Sequence, residues 1–160
     1  MEKKANNEDK IMWKVMIVDD EKLICKLVQA LVEWDKLGMQ MAAQAENAIQ
    51  ALDMLQQYRP DILITDIRMP GMDGLELIKN AKKICPELEI IIISGYAHFE
   101  YARNALSLGV GNYLLKPIKQ DELNETLRKI GERLDAKKSA QGMEMAEWGV
   151  CESDVNRLRY

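Results

Sequence analysis

The chain has 160 residues, 48% hydrophobic and 30% charged, which suits one domain with a tail and is too short for two full domains. The 26 acidic residues against 22 basic ones leave a formal charge of −4, which argues against a general nucleic-acid-binding face. No apolar stretch approaches the roughly 20 residues that cross a bilayer, and Cys25, Cys85 and Cys151 are too few and too scattered for a disulfide framework or a structural zinc site. With no apolar run behind the N-terminal lysines, the expectation is a soluble, reduced, cytoplasmic protein without a membrane partner.

From residue 13 to about 135, short apolar runs alternate with helical periodicities. Val15-Met16-Ile17-Val18 reads as a buried strand that stops at Asp19-Asp20. Leu23, Ile24, Leu27, Val28, Leu31 and Val32 fall on one face of an amphipathic helix, with Leu37-Gly38 as its stop. Met39 to Ala45 forms a weaker second strand. Asn47 caps a helix carrying Ile49, Leu52 and Leu55, which ends at Arg59-Pro60. Ile62-Leu63-Ile64-Thr65 is a third strand ending at Asp66, followed by the turn-rich Arg68-Met69-Pro70-Gly71-Met72. Asp73 and Glu76 have capping-box spacing and open a helix through Leu75, Leu77, Ile78 and Ile84 that Pro86 closes. Ile90 to Ile93 is a fourth strand ending at Ser94-Gly95, and a helix is predicted over 97–108. Tyr113-Leu114-Leu115 is a fifth strand before Lys116-Pro117, and the last helix sets Leu123, Leu127, Ile130 and Leu134 on one stripe. Apolar strands alternating with helices imply a parallel sheet covered on both faces, an open doubly wound α/β fold of the (βα)5 kind rather than a closed barrel. Residues 1–12 read as an N-terminal extension, 13–135 as the domain, and 136–160 as linker or C-terminal tail, with disorder favoured for the tail over an extra helix.

In such sheets ligands bind beyond the carboxyl ends of the strands. Here the strands end in Asp19-Asp20, Asp66, Ser94 and Lys116. Singly, each is ordinary: loop acids, a turn aspartate, a turn serine, an exposed lysine. The joint pattern from four strands is what carries meaning. Three clustered carboxylates repel, and a hard divalent cation with oxygen ligands relieves that repulsion; Mg2+, which also favours phosphate, is the expected ion. A carboxylate can be a nucleophile toward phosphorus, and the transferred group needs a metal, a lysine and hydroxyl or amide donors around its oxygens. Asp66, Lys116, Ser94 and the amides after Asp66 provide those groups.

The segments Val18-Asp19-Asp20-Glu21, Thr65-Asp66-Ile67-Arg68-Met69-Pro70-Gly71-Met72-Asp73-Gly74, Ser94-Gly95 and Tyr113-Leu114-Leu115-Lys116-Pro117 together resemble the receiver domain of two-component response regulators. That resemblance implies a flavodoxin-like (CheY-like) fold with strand order 2-1-3-4-5. It implies that Asp66 is the phosphoacceptor, receiving its phosphoryl group from a sensor histidine kinase. Asp20, Asp66 and the Arg68 carbonyl would hold Mg2+, with Asp19 acting largely through a water. Lys116, before a cis Lys-Pro bond, would meet the phosphoryl oxygens, Ser94 would hydrogen-bond them, and Tyr113 would be the aromatic switch. The protein would be no enzyme beyond catalysing its own phosphorylation and dephosphorylation.

Ser94-Gly95-Tyr96-Ala97-His98-Phe99-Glu100-Tyr101-Ala102 further resembles receivers whose regulators carry an AraC-type helix-turn-helix. Nothing after Gly142 is similar to such a DNA-binding pair, so DNA would be reached only through a domain absent from this chain. The alternative is a stand-alone regulator acting by protein–protein contact. Homodimerisation on phosphorylation, through the face of the helix predicted over 97–108, the fifth strand and the last helix, is implied by analogy. Two rivals fit less well. A haloacid-dehalogenase-type phosphatase wants DxD where Asp66 is followed by Ile67-Arg68, and a flavodoxin-like cofactor module wants a phosphate loop where this chain has Asp-Asp-Glu.

Overall fold

A computed structural model describes residues 12–69, 71–95, 104, 107 and 110–148, with side chains described through residue 140. Its strands are β1 (Trp13–Val18), β2 (Met39–Ala45), β3 (Ile62–Asp66), β4 (Glu89–Ser94) and β5 (Asn112–Leu115). Its helices are α1 (Lys22–Leu31), the short α2 (Trp34–Leu37), α3 (Ala48–Tyr58), α4 (Gly74–Ile84) and α5 (Gln120–Trp148). Most of the helix predicted over 97–108, His98 included, lies outside the described residues, as does Pro70; within that span Asn104 and Ser107 are described, both helical and exposed.

All strand pairs are parallel, in the order β2-β1-β3-β4-β5. Because side chains alternate along a strand, each apolar run serves two cores at once. Met16, Val18, Leu63, Ile90 and Ile92 point to the face covered by α3 and α4. Val15, Ile17, Ile62, Ile64, Ile91 and Ile93 point to the opposite face, under α1 and α5. Burial on both faces is why these strands read as unbroken apolar runs.

The local signals for helix ends hold. The Asn47 side chain accepts a hydrogen bond from the Gln50 amide (2.8 Å) at the start of α3. Asp73 accepts from the Glu76 amide (2.9 Å) at the start of α4. Leu123, Leu127, Ile130 and Leu134 are all buried along α5.

Four expectations need correction. The apolar face predicted for the first helix is split: Cys25, Val28 and Val32 are buried, whereas Leu23 and Leu27 are 77% and 41% exposed. On α3 it is Ala48, Ala51 and Leu55 that face the core, and Ile49 points outward. The first helix also stops at Leu31, and α2 fills the gap before Gly38, whose φ of 67° gives the left-handed turn. Asn124 of α5 stabilises that break, donating to the Leu31 carbonyl and accepting from the Glu33 amide (2.9 and 2.8 Å).

The fourth correction concerns the linker-like 136–142 and the segment after it. Helix α5 continues through both as far as Trp148. Its residues 136–140 are exposed, so this stretch packs no face on the core and is sustained by good helix formers such as Ala136, Lys137, Lys138 and Ala140.

Candidate functional site

Strand register assembles the site. Val18 of β1 is opposite both Ala45 and Thr65, so Asp19, the next residue along, arrives beside Asp66 at the end of β3. A slip of one residue would turn Asp66 to the other face of the sheet. Ser94 ends β4 and is buried, and its carbonyl accepts from the Lys116 amide at 2.7 Å, which ties the start of the β5 exit to the same edge. All four strand ends named from the sequence therefore converge.

The geometry is compact. One carboxylate oxygen from each of Asp19, Asp20 and Asp66 lies within 4.8 Å of the others. Lys116 Nζ reaches Asp66 Oδ2 at 3.1 Å and Asp19 Oδ2 at 3.5 Å. The other oxygen of Asp66 accepts from the Arg68 amide (3.2 Å), and that of Asp19 from the Glu21 amide (2.9 Å). Asp19 and Asp66 are buried, whereas Asp20 and Arg68 are exposed at the rim. The Lys116-Pro117 bond is cis. Tyr113 is half-buried on β5 and packs against the core on the α3–α4 side.

The electrostatics show a shortage of positive charge. Burial pushes the Asp19 carboxyl up to about 6; the neighbouring Asp66 adds to the rise, while the Glu21 amide and Lys116 oppose it. Burial alone would weaken the Lys116 ammonium, but the carboxylates of Asp66 and Asp19 outweigh it and raise its pKa above that of an ordinary lysine. One ammonium thus serves two buried acids, with the Asp20 carboxylate clustered beside them. The donor set is all carboxylate oxygen, hard and anionic, open to solvent on the Asp20 side, which fits a small divalent cation. Cys25 lies directly behind, its thiol 3.8 Å from the Asp19 carbonyl and pushed up to about 11 by burial, so it is an inert packing group.

Two features went unremarked in the sequence. Thr65 donates its hydroxyl to the Asp66 carbonyl (2.9 Å). Gly74 packs so tightly on the same peptide that a Cβ there would sit 2.7 Å from Ile67 Cα and nearer still to the Asp66 carbonyl oxygen. Both residues are visible in the sequence, but the first reads as a β-branched strand residue and the second as the end of a turn.

Comparison with known proteins points the same way as the geometry. The family model described as the response regulator receiver domain matches residues 15–128. A transcriptional regulatory protein of Bacillus subtilis (strain 168), YesN, is 40% identical over 119 residues, 74% of this chain and 32% of that protein. The REC domain of AraT, a response regulator from Geobacillus stearothermophilus, superposes with a TM-score of 0.76 at 38% identity, over 80% of this chain and 99% of that one. A two-component transcriptional regulator AraC from Clostridium phytofermentans gives 0.69 at 35% identity, over 74% and 92%. The chain spans about a third of YesN and about half of further regulators from staphylococci.

Proposed function

Because the chain belongs to the response regulator receiver domain family, we propose that Asp66 is its phosphoacceptor and that a sensor histidine kinase is its phosphodonor. One observation carries this reading: three carboxylates gather within 4.8 Å, and Lys116 lies 3.1 Å from Asp66 and 3.5 Å from Asp19. An oxygen of Asp66 attacks the phosphorus of a phosphohistidine. The P–N bond breaks, its electron pair leaves with the imidazole, and solvent supplies that ring's proton.

Lys116 holds the Asp66 carboxylate in place and provides fixed positive charge where negative charge accumulates on the phosphoryl oxygens. The Arg68 amide, already bonded to Asp66 Oδ1, keeps the carboxylate from rotating. Asp19, Asp20, Asp66 and the Arg68 carbonyl would hold Mg2+, which when bound neutralises the acidic cluster and the incoming phosphate. The Ser94 hydroxyl, buried at the same edge, bonds the new phosphoryl group, and Tyr113 follows inward on β5. That movement shifts a two-state equilibrium and repacks the surface around β5 and α5.

The names of the relatives give transcriptional regulation, and the output proposed for this chain is control of transcription in the cytoplasm, by dimerisation through the β5–α5 face and a separate DNA-binding domain. Residues 13–135 are the signalling unit, and the helical 136–148 carries its movement toward that domain. Incubation with Mg2+ and acetyl phosphate tests the first step. The expected result is one acid-stable, hydroxylamine-labile phosphoryl group per wild-type chain and none on Asp66→Asn; equal labelling of both overturns the assignment.

A further inference from the structure

We infer that Gly74, with its neighbour Asp73, is a positioning residue for Asp66, and that the start of α4 holds the acceptor's main chain. This rests on Asp66 being the phosphoacceptor. Gly74 is the first residue of α4 and is buried. Its backbone is not in the left-handed region, so any residue could adopt its conformation, and alanine would favour the helix by about 1 kcal/mol. Conformation therefore does not demand glycine here. Space does.

A Cβ at position 74 would fall 2.7 Å from Ile67 Cα and closer to the Asp66 carbonyl oxygen, distances that real contacts do not show. Either the helix start or the Asp66–Ile67 peptide would have to move. The helix start is fixed: the Gly74 amide donates to the Ile67 carbonyl at 2.8 Å, Asp73 caps the Glu76 amide at 2.9 Å, and Ile78 is fully buried one turn on. The peptide is held on its far side by the Thr65 hydroxyl and by the sheet, where Asp66 is opposite Ile93. The strain therefore falls on the residue whose side chain makes the 3.1 Å contact with Lys116 and the 3.2 Å contact with the Arg68 amide. A shift near 1 Å at a reacting group costs on the order of a hundredfold in rate.

The test is the initial rate of phosphorylation by acetyl phosphate with saturating Mg2+, read as a function of donor concentration on the intact chain. Gly74→Ala is expected to lower the saturating rate about a hundredfold while the half-saturating donor concentration stays within about threefold, the pattern of lost transition-state geometry rather than lost donor binding. Leu77→Ala, which empties a buried site on the same helix, is expected to lower Tm at least as much yet keep the wild-type rate below that temperature. In the second arm Asp73→Ala lowers the rate about tenfold and Asp73→Asn, which retains a capping oxygen, restores it. A folded Gly74→Ala protein at the wild-type rate overturns the inference, as does an equal loss in Leu77→Ala. Should Gly74→Ala fail to fold, the Asp73 pair decides, and indistinguishable rates for Asp73→Ala and Asp73→Asn overturn it. Labelling of Asp66→Asn would instead remove the phosphoacceptor reading beneath it.

Discussion

The two edges of the sheet carry similar numbers of acids and treat them in opposite ways. At the amino edge three acids each have a partner of their own. Asp61 accepts from the Lys14 amide (2.9 Å), Glu89 pairs with Arg133 (3.2 Å), and Asp135 accepts from the Trp13 indole (2.8 Å). At the carboxyl edge Asp19 and Asp66 share Lys116, and the Asp20 carboxylate crowds the same cluster. The amino edge is therefore architecture, fastening α5 to β1 and β4. The carboxyl edge is held away from electrostatic balance by the surrounding fold, and such a cluster of hard oxygens suits a small divalent cation.

The largest effect separating the edges is expected from their cations. Lys116→Ala should cut the phosphorylation rate by about a hundredfold or more, since it deletes fixed charge at the reacting oxygens. Arg133→Ala, at the exposed amino-edge pair, should leave that rate unchanged and cost less than about 1 kcal/mol in urea unfolding. Equal effects on rate would erase the distinction.

Asp19→Asn sharpens it further. The Asp19 carboxyl, near 6 in the folded protein against 3.8 for the free residue, holds a proton that the unfolded chain has already released. Its contribution to metal-free stability is thus fully present below about 3.8 and declines as pH rises to about 6. Metal-free Asp19→Asn should be more stable than wild type by about 1–3 kcal/mol at pH 7, with the difference shrinking toward pH 4. Urea midpoints across that range check it. A destabilised variant at neutral pH would mean that the site carries no excess negative charge.

A smaller effect concerns Asp61 at the amino edge. Burial raises its pKa as well, against the Lys14 amide and ammonium, yet no other acid presses on it. Asp61→Asn should change stability by less than about 1 kcal/mol and leave Mg2+ affinity untouched; any loss of Mg2+ binding would link edges that are here held to be independent.

Legibility in the sequence divides along the same line. The carboxyl edge was readable because each strand is an apolar run with an abrupt polar end, and the parallel order then gathers those ends without further information. The capping residues Asn47 and Asp73 were equally local signals, whereas the strand order came only with the family resemblance. What stayed hidden depends on neighbours remote in sequence. Leu23, Leu27 and Ile49 sit at helical spacing from buried positions, and periodicity alone cannot say which side of a wide apolar stripe meets the sheet.

The break after Leu31 is set by Asn124, more than ninety positions away. The extension of α5 was missed because amphipathic patterning detects helices that bury a face, and residues 136–140 bury none. Gly74 carried no sign of its role, since only the folded chain shows what its missing side chain would strike.

Calorimetric titration with Mg2+ between pH 5 and 8, on wild type and Asp20→Asn, addresses the shared-charge site most directly. The account predicts one ion per wild-type chain, affinity that falls as pH drops through about 6 because bound protons must leave, and at least about tenfold weaker binding in the variant. Binding that is absent, insensitive to pH in this range, or equal in the two proteins would contradict it.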